Sequence, residues 1–585
     1  MKSSNELRTL LRSVDRKSYP AYKSLAGAYQ FGTYVLAIDH VQGDPFASPS
    51  SLHVEVPLSQ AGFPEGFYRE AYSRIALEDH LTRLFARQAE GFNFKAKGSG
   101  KSGLISTTRC GQEVLERSAC QIGGGRITVR FHVGFPAFGR TIDAGGLEQI
   151  LFDYLPKCVE NSLFYQRIDR KKAEAAVWLA EDQAELRRLL KENGWTAFVA
   201  NGAILPRKSG VSDLPMKDSV AFQSPASMEA EVCLPHRGEV RGMAIPKGIT
   251  LIVGGGYHGK STLLSALQMG VYDHIAGDGR ELVVTDDTAV KLRAEEGRFI
   301  RKRDISLFIN DLPNKKDTAC FSTEDASGST SQAAGVVESM EAGAGLLLID
   351  EDTSATNFMV RDDLMQEVIR REKEPITPFL ERARDLYSQA GISTILVAGS
   401  SGAFFYIADK ILQMDCYRPV DITDRVKALC GEHQAPRTQA PGFAVPSWNG
   451  AWEGKAAGGR RSGDGRDRGY GNRGGRSGGR EQGGRERAKV KTFGRDSFSL
   501  DRETVDLRYV EQLADGEQTA GLAYLLRYCL EQAVDGRRSL TQVVDLAWNT
   551  LKKQGWEPFC SSYVPCGLAK PRKQELFACL NRYRG

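Results

Sequence analysis

One short segment restricts what this chain can fold into more than any other feature. Gly254-Gly-Gly-Tyr-His-Gly-Lys-Ser261 fits the pattern G-x-x-x-x-G-K-[ST], and it lies between the apolar run Ile249–Val253 and the helical pattern Leu263–Met269. In this strand–loop–helix order, glycines let backbone N–H groups surround phosphates at a helix N-terminus. The sequence therefore predicts a phosphate-binding loop, with contacts from Gly254, Gly255, Gly256, Tyr257, His258, Gly259, Lys260, Ser261 and Thr262.

Two side chains of this loop have separate expected roles. Lys260 reaches the β- and γ-phosphates and takes part in catalysis, and the Ser261 hydroxyl is a ligand of Mg²⁺. The glycines also fit the dinucleotide fingerprint G-x-G-x-x-G, with Asp278 about 20 residues further on, but Lys260 and Ser261 have no role in that interpretation. A second segment, Gly98-Ser-Gly-Lys-Ser102, lacks the first glycine and a preceding apolar strand, so it is interpreted as a flexible basic loop that could contact an anion.

Downstream, the run Leu346-Leu-Leu-Ile-Asp-Glu351 has the form of a buried strand that delivers carboxylates to its C-terminal end. Asp350 is expected to hold Mg²⁺, directly or through water. Glu351 is expected to act in catalysis by polarising the water that attacks the γ-phosphate. An apolar run ending in Asp-Glu is weak evidence alone, but it gains weight about 90 residues after a complete phosphate-binding loop.

The blocks around this strand are more specific. Asp350-Glu-Asp-Thr-Ser-Ala-Thr-Asn357 resembles the D-E-P-T-S-A-L-D block of ABC ATPases, and Ser327-Gly-Ser-Thr-Ser-Gln332 resembles an expanded form of their S-G-G-Q signature. Hydroxyl and backbone N–H groups at a helix N-terminus form an anion site. The resemblance implies that this site binds the γ-phosphate held by a second subunit. The implied contacts are Ser327, Gly328, Ser329, Thr330, Ser331 and Gln332.

Almost the whole chain resembles the group called predicted ATPases of the ABC class. The resemblance is carried by these blocks, by Asp39–Ser50, Gly111–Glu116 and Gly277–Arg280, and by Arg293–Arg298 and Arg572–Arg584. It implies an α/β P-loop NTPase core of ABC type, an α+β N-terminal domain and a small, mostly helical C-terminal domain. It also implies a protein that is not a transporter, and members of the group have been linked to RNA.

Composition and periodicity place the boundaries of these units. We predict an N-terminal domain over 1–160, an ATPase core over 161–435, a disordered linker over 436–495 and a C-terminal domain over 496–585. Helical spacing is expected in Ala71–Glu90 and Ala173–Glu192, and again in Gly521–Val534 and Leu540–Leu551. Strands are expected at Arg126–Val133, Leu346–Ile349 and Ser393–Val397.

The sequence departs from ordinary ABC ATPases in two places. The strand Ser393–Val397 is followed by Ala-Gly-Ser400-Ser401 where a switch histidine is expected, so Ser400 is assigned to the catalytic site, with Ser401 as its alternative. The sequence contains no clear Q-loop glutamine between Ser261 and Ser327, and Glu295 or Glu296 is expected to replace it. Phe222 is the candidate for stacking on adenine, against the alternative that it is a core residue. These departures concern the rate of hydrolysis more than nucleotide binding.

Charge is distributed unevenly along the chain. The net charge is +5, but residues 455–495 alone carry 13 Lys or Arg and 4 Asp or Glu, so that the rest of the chain is acidic. This Gly/Arg segment cannot bury enough apolar surface to fold, and flexible Arg-rich chains neutralise phosphates and stack on exposed bases. RNA or single-stranded nucleic acid is therefore the expected partner, with contacts from Arg473, Arg476 and Arg480. A solubilising linker is the alternative.

The remaining features limit the location and assembly of the protein. No apolar run is long enough to cross a bilayer and no secretory signal is present, so a cytoplasmic or matrix-like location without membrane insertion is expected. The 11 cysteines have no metal-binding spacing. One loop and one signature per chain favour a homodimer that binds two ATP molecules with Mg²⁺. The alternatives are the motor subunit of a membrane transporter and an ATP-binding scaffold with negligible turnover.

Overall fold

The computed structural model describes residues 1–362, 368–369, 373–433, 435, 440–448, 450–454 and 487–585. The predicted nucleic-acid contacts Arg473, Arg476 and Arg480 lie outside these residues. Separate clusters of buried side chains fill an N-terminal, a central and a C-terminal region. Within the described ranges, no helix is long and apolar enough to span a bilayer.

The N-terminal region is a seven-stranded sheet packed with helices. Alternate residues of Arg126–Val133 are buried, as expected for a strand with one face on a core, and the helix Ala71–Glu90 has its predicted bounds, so both predictions are confirmed. The other strands are Lys2–Ser3, Gly27–Phe31, Tyr34–His40, Ser50–Pro57, Ile105–Ser106 and Cys120–Gly123. The other helices are Ser4–Val14, Leu58–Ala61, Gly66–Arg69, Ala144–Gln149 and Leu155–Leu163.

The central region contains a six-stranded sheet in which three adjacent inner strands are almost wholly buried. The predicted strands at Ile249–Val253, Leu346–Asp350 and Ser393–Val397 are adjacent and parallel, which confirms them and brings their carboxyl ends to one edge. The remaining strands are Val290–Leu292 and Lys410–Asp415, both parallel, and the antiparallel Arg418–Asp421. The helices of this region are Lys260–Met269, Gly328–Glu341, Thr356–Met359, Phe379–Ala390 and Thr423–Glu432.

A second, antiparallel sheet extends the central region. Its strands are Glu229–Leu234, Gly238–Pro246, Trp195–Ala200 and Val283–Thr285, and the helix Arg170–Asn193, predicted over 173–192, packs on them. The predicted domain boundary at 160 falls inside the helix Leu155–Leu163, whose buried residues belong to the N-terminal core. Short strand pairs complete the fold: Glu113–Val114 with Asp273–His274, Ala137–Phe138 with Thr141–Ile142, Arg207–Ser209 with Ser212–Pro215, and Arg298–Arg303 with Phe321–Ala326.

The C-terminal region consists of a three-stranded sheet and three main helices. The predicted helix at 521–534 begins earlier, at Gly516, because Asp515 forms a capping box there, and the helix predicted at Leu540 extends to Gln554. The third helix is Lys573–Arg582. The strands are Val490–Phe493, Ser497–Leu500 and Glu503–Asp506.

The prediction of a disordered linker over 436–495 is wrong at the two ends of the segment that the structure describes. Val490–Phe493 is a strand paired with Ser497–Leu500, and Val490 packs against the C-terminal core. Before the Gly/Arg segment, Trp452 is 8% exposed and its N–H donates to the carbonyl of Arg538 at 2.8 Å. Composition averaged over the whole segment hid these few apolar residues, which a neighbouring core can order.

Candidate functional site

The loop 254–259 connects the central strand Ile249–Val253 to the helix Lys260–Met269, as its pattern predicts. Gly254 has φ of +137°, and a Cβ there would lie 2.5 Å from the carbonyl oxygen of Met414, so a side chain has neither the conformation nor the space. The Lys260 ammonium donates to the carbonyl oxygens of Gly254 at 2.7 Å and Gly255 at 2.9 Å. The Lys260 ammonium therefore lies across the opening of the loop. The next residue, Ser261, is exposed on the first turn of the helix Lys260–Met269.

A two-residue turn at Cys416 and Tyr417 supports the other side of this loop. The Nδ1 atom of His258 accepts the Cys416 N–H at 3.0 Å and lies 3.4 Å from a carboxylate oxygen of Asp415. The N–H of Tyr417 donates to the His258 carbonyl at 3.2 Å. Ligand atoms of His258, Asp415 and Cys416 lie within 4.8 Å of one another, so these three side chains have the donor types and spacing to hold a metal ion.

The carboxylates Asp350 and Glu351 lie at the carboxyl edge of the same sheet. Glu351 accepts two backbone N–H groups, from Gly399 at 2.6 Å and Ser400 at 3.0 Å, and the Ser400 hydroxyl at 2.6 Å. Burial raises the pKa of Glu351, but these hydrogen bonds outweigh burial and lower the pKa overall. The structure thus places two residues assigned to catalysis, Glu351 and Ser400, in direct contact.

Asp350 has a different environment from its neighbour. It is 9% exposed, and burial raises its pKa, while the N–H of Asp352 and the ammonium of Lys291 act in the opposite direction. Its carboxylate and the Ser261 hydroxyl are hard oxygen donors of the kind that Mg²⁺ prefers, so the donor chemistry fits the predicted magnesium site.

The predicted signature segment is largely internal, which corrects part of the prediction. Ser329, Ser331 and Gln332 are 8%, 1% and 0% exposed. The Gln332 amide donates to the Ser354 hydroxyl at 2.9 Å and accepts the Ala355 N–H at 2.9 Å, so it fixes the block after Glu351 instead of facing solvent. A helix buries one face, and the sequence pattern of small polar residues did not show which face it was.

The open positions of this segment are Ser327 and Thr330. Ser327 caps the helix Gly328–Glu341, its hydroxyl oxygen accepting the Thr330 N–H at 3.4 Å, and Gly328 is buried beside it. In the part of the chain that the structure describes, no hydrogen bond joins this segment to residues 254–262. Among the described residues, the phosphate-binding loop and the signature segment are therefore separate in the sense that they share no hydrogen bond.

Two further predictions are resolved by burial. Phe222 is 2% exposed in a hydrophobic cluster, so its assignment to adenine is wrong and the core alternative holds. Of the Q-loop candidates, Glu295 is 8% exposed and accepts a hydrogen bond from Arg582, which leaves the exposed Glu296 as the candidate.

Sequence reasoning named Tyr257 among the loop contacts but missed Tyr417, the second aromatic residue beside the loop. Tyr257 is fully exposed, and Tyr417 is 55% exposed next to Gly259. The missed signal is the spacing of two residues between the strands Lys410–Asp415 and Arg418–Asp421, which fits a tight hairpin. Cys416 and Tyr417 are not usual residues for such a turn, and both have positive φ, at 45° and 69°.

Comparison with known proteins now identifies the family. The model of the P-loop domain of ABC ATPases matches residues 169–447, the N-terminal model of ATPases of the ABC class matches 4–166, and the MRB1590 C-terminal domain matches 489–585. The chain belongs to the ABC-class ATPases. This membership shows an ABC-type P-loop fold that binds ATP, in agreement with the fold class that the sequence predicts.

Individual relatives of this ABC-class ATPase are more distant. An uncharacterized protein of Methanocaldococcus jannaschii, MJ1628, is 32% identical over 220 residues, which are 33% of this chain and 47% of that protein. The chain thus spans about half the length of this relative. Two solved structures from ABC transporters are also similar, with TM-scores of 0.25. They are MJ1267 of an ABC transporter (11% identity, 41% of this chain and 95% of that one) and cbiO1 of Clostridium perfringens (13%, 40% and 91%).

Proposed function

We propose that this ABC-class ATPase hydrolyses ATP with Mg²⁺ as a homodimer and associates with RNA or single-stranded nucleic acid. The observation that carries the proposal is the position of Glu351. Its strand pairs with Ser393–Val397, which in turn pairs with the strand that enters the phosphate-binding loop. An ionised carboxylate is therefore held at the sheet edge from which the loop begins, where a base for an attacking water is required.

Different residues of the chain have separate roles in the proposed reaction. The loop N–H groups and Lys260 bind the phosphates, and Ser400 with the N–H of Gly399 orients Glu351 toward the water that it polarises. Ser261 and Asp350 would hold Mg²⁺. When bound, the ion neutralises charge that develops on the phosphate oxygens.

The homodimer follows from the separation of the two phosphate-binding surfaces. Ser327 and Thr330 present hydroxyl groups at the N-terminus of the helix Gly328–Glu341, where an anion is favoured. A second copy related by twofold symmetry can place this helix end over the first copy's loop, and the same contact then forms twice. Each site is then complete only when both chains are present.

The decisive experiment compares the wild type with Glu351→Gln and with the surface control Glu432→Gln. We expect Glu351→Gln to lose at least about a hundredfold in phosphate release, because the water loses its base. The same variant should become a dimer by light scattering when ATP and Mg²⁺ are added. Unchanged phosphate release would instead indicate an ATP-binding scaffold, and an unchanged mass would contradict the dimer.

Support for nucleic acid comes from the sequence of the Gly/Arg segment. Its arginines can neutralise phosphates without a folded surface. Deleting residues 455–486 should weaken binding of a labelled single-stranded RNA and flatten its dependence on salt, as measured by fluorescence anisotropy. No binding by either protein at low salt would exclude RNA as the partner.

A further inference from the structure

The basic segment Gly98–Ser102, which has no role in the nucleotide site, is held rigidly in the N-terminal region. A Cβ on Gly98 would lie 2.6 Å from the carbonyl oxygen of Ala137, and one on Gly100 would lie 2.4 Å from that of Pro45. Hydrogen bonds from the N–H of Ser99 to Ala137 (2.7 Å) and from that of Lys101 to Pro45 (2.8 Å) join the same loops. The expectation of a flexible loop is therefore wrong: close backbone contacts join residues 94–103, 43–49 and 134–140 into one surface, which we call the loop surface.

Large aromatic rings are exposed on each part of the loop surface. Phe46, Phe94 and Phe138 are 65%, 45% and 63% exposed. Phe46 adjoins Gly100, and both neighbours of Phe138 hydrogen-bond to Ser99, so two of the rings flank the same glycine-rich segment. A phenylalanine ring has no polar group that could hydrogen-bond to water. Three such rings exposed on one surface form a platform on which flat, apolar groups can stack.

Basic side chains lie on the same loops as these rings. There are four such side chains, and none of them forms an ion pair with a carboxylate among the described residues: Lys95, Lys97, Lys101 and Arg140. Lys95 lies instead over the ring of Phe92, at 4.7 Å from its centroid. The nearest acidic side chain in sequence, Asp44, accepts the N–H groups of Phe46 and Ala47 and so shapes its own turn. The positive charges of the loop surface are therefore available to an anionic partner.

A groove leads from this surface across the neighbouring helix. It has a volume of about 520 Å³, and Lys95, Lys97 and Phe138 line it together with three carboxylates. Two of these are engaged, because Asp143 caps the helix Ala144–Gln149 and Glu148 pairs with Arg8 and Arg12. Asp153 is exposed and would repel a phosphate that entered the groove.

We propose that the loop surface is a second binding site for single-stranded RNA, formed by the N-terminal region and separate from the Gly/Arg segment. Exposed aromatic rings, together with cations that form no ion pair among the described residues, suit the bases and the phosphates of an unpaired strand. Double-stranded RNA keeps its bases stacked inside, so the exposed rings favour a single strand. The inference deepens the proposed association with RNA and rests on it, but it does not depend on ATP hydrolysis.

The test is an anisotropy titration of labelled single-stranded RNA against salt, with the full chain and with the deletion of 455–486. Phe46→Ala/Phe138→Ala should weaken binding at least about tenfold with an unchanged salt slope, because stacking releases no counterions. Lys97→Gln/Lys101→Gln should lower the salt slope by about 1.4, at about 0.7 per phosphate contact. Asp153→Asn should tighten binding, because it removes a repulsive charge.

Matched controls are Tyr72→Ala, an exposed aromatic residue on the helix Ala71–Glu90, and Lys171→Gln, an exposed lysine on the helix Arg170–Asn193. ATP affinity should be unchanged in every variant, which checks folding. The loop surface is excluded if its variants bind RNA like the wild type in both backgrounds while the 455–486 deletion alone loses affinity. If no protein binds RNA, the association itself fails, while the proposed ATPase activity stands.

Discussion

In the proposed mechanism, the contact between Ser400 and Glu351 takes the place of a switch histidine. The Ser400 hydroxyl and two N–H groups surround the carboxylate and favour its ionised form, and the pKa of Glu351 is lowered in spite of burial. In Ser400→Ala one charge-assisted hydrogen bond is lost and the two N–H groups remain. We expect phosphate release to fall about tenfold to a hundredfold, since such a bond contributes roughly 1.5–3 kcal/mol.

The pH profile separates this role from a purely structural one. Loss of the hydroxyl should raise the pKa of Glu351 toward the value of an ordinary carboxyl group, so protonation begins at a higher pH. The acid limb of the profile of phosphate release should therefore move to higher pH in Ser400→Ala. Ser401→Ala is the control, because the Ser401 hydroxyl instead caps the turn Gly402–Tyr406. An acid limb at the wild-type position would contradict the assignment.

At the scale of the element, the sequence was most informative where a local pattern has one structural solution. Continuous apolar runs such as Ile249–Val253 and Leu346–Asp350 fit buried parallel strands, and their carboxyl ends then share an edge by topology. The phosphate-binding loop and the contact region of Glu351 could therefore be placed together from the sequence.

Features set by tertiary packing could not be read in this way. Which face of the helix Gly328–Glu341 is buried depends on the block at Ser354 and Ala355, and this contact makes Gln332 an internal residue. The turn at Cys416 and Tyr417 is similar. Its positive φ angles are unfavourable for these residues, and bonds to His258 help to hold them. Neither contact could be predicted from the local composition of the sequence.

At the scale of the whole molecule, one of the contacts of the C-terminal region is with the loop around Glu295, beside the signature helix. Arg582, on the last helix, donates to the carboxylate of Glu295, and both side chains are nearly buried. The N–H of Glu295 donates to the Ser331 hydroxyl at 2.9 Å, and the N–H of Ala294 donates to the Thr353 carbonyl at 3.0 Å. The C-terminal region is thus bonded to the loop that fixes both the signature helix and the block after Glu351.

This arrangement predicts that Arg582→Ala uncouples hydrolysis from ATP binding. Glu295 would be left buried without its partner, and a small displacement of the loop would misplace the signature helix and the segment after Glu351. We expect phosphate release to fall about tenfold to a hundredfold. Binding of a fluorescent ATP analogue to the monomer should change less than about twofold, because no hydrogen bond joins residues 293–296 to 254–262 among the described residues.

Arg117→Ala is the matched control for this prediction. Arg117 is more deeply buried than Arg582, and it pairs with Asp515 at 2.8 Å and Glu517 at 2.6 Å, so it also attaches the C-terminal region, but to the N-terminal one. Both variants should lower the midpoint of thermal unfolding, since each removes a cation that is hydrogen-bonded to a carboxylate. Only Arg582→Ala should reduce phosphate release. Equal losses of activity would mean that general attachment of the C-terminal region, and not the loop at Glu295, supports catalysis.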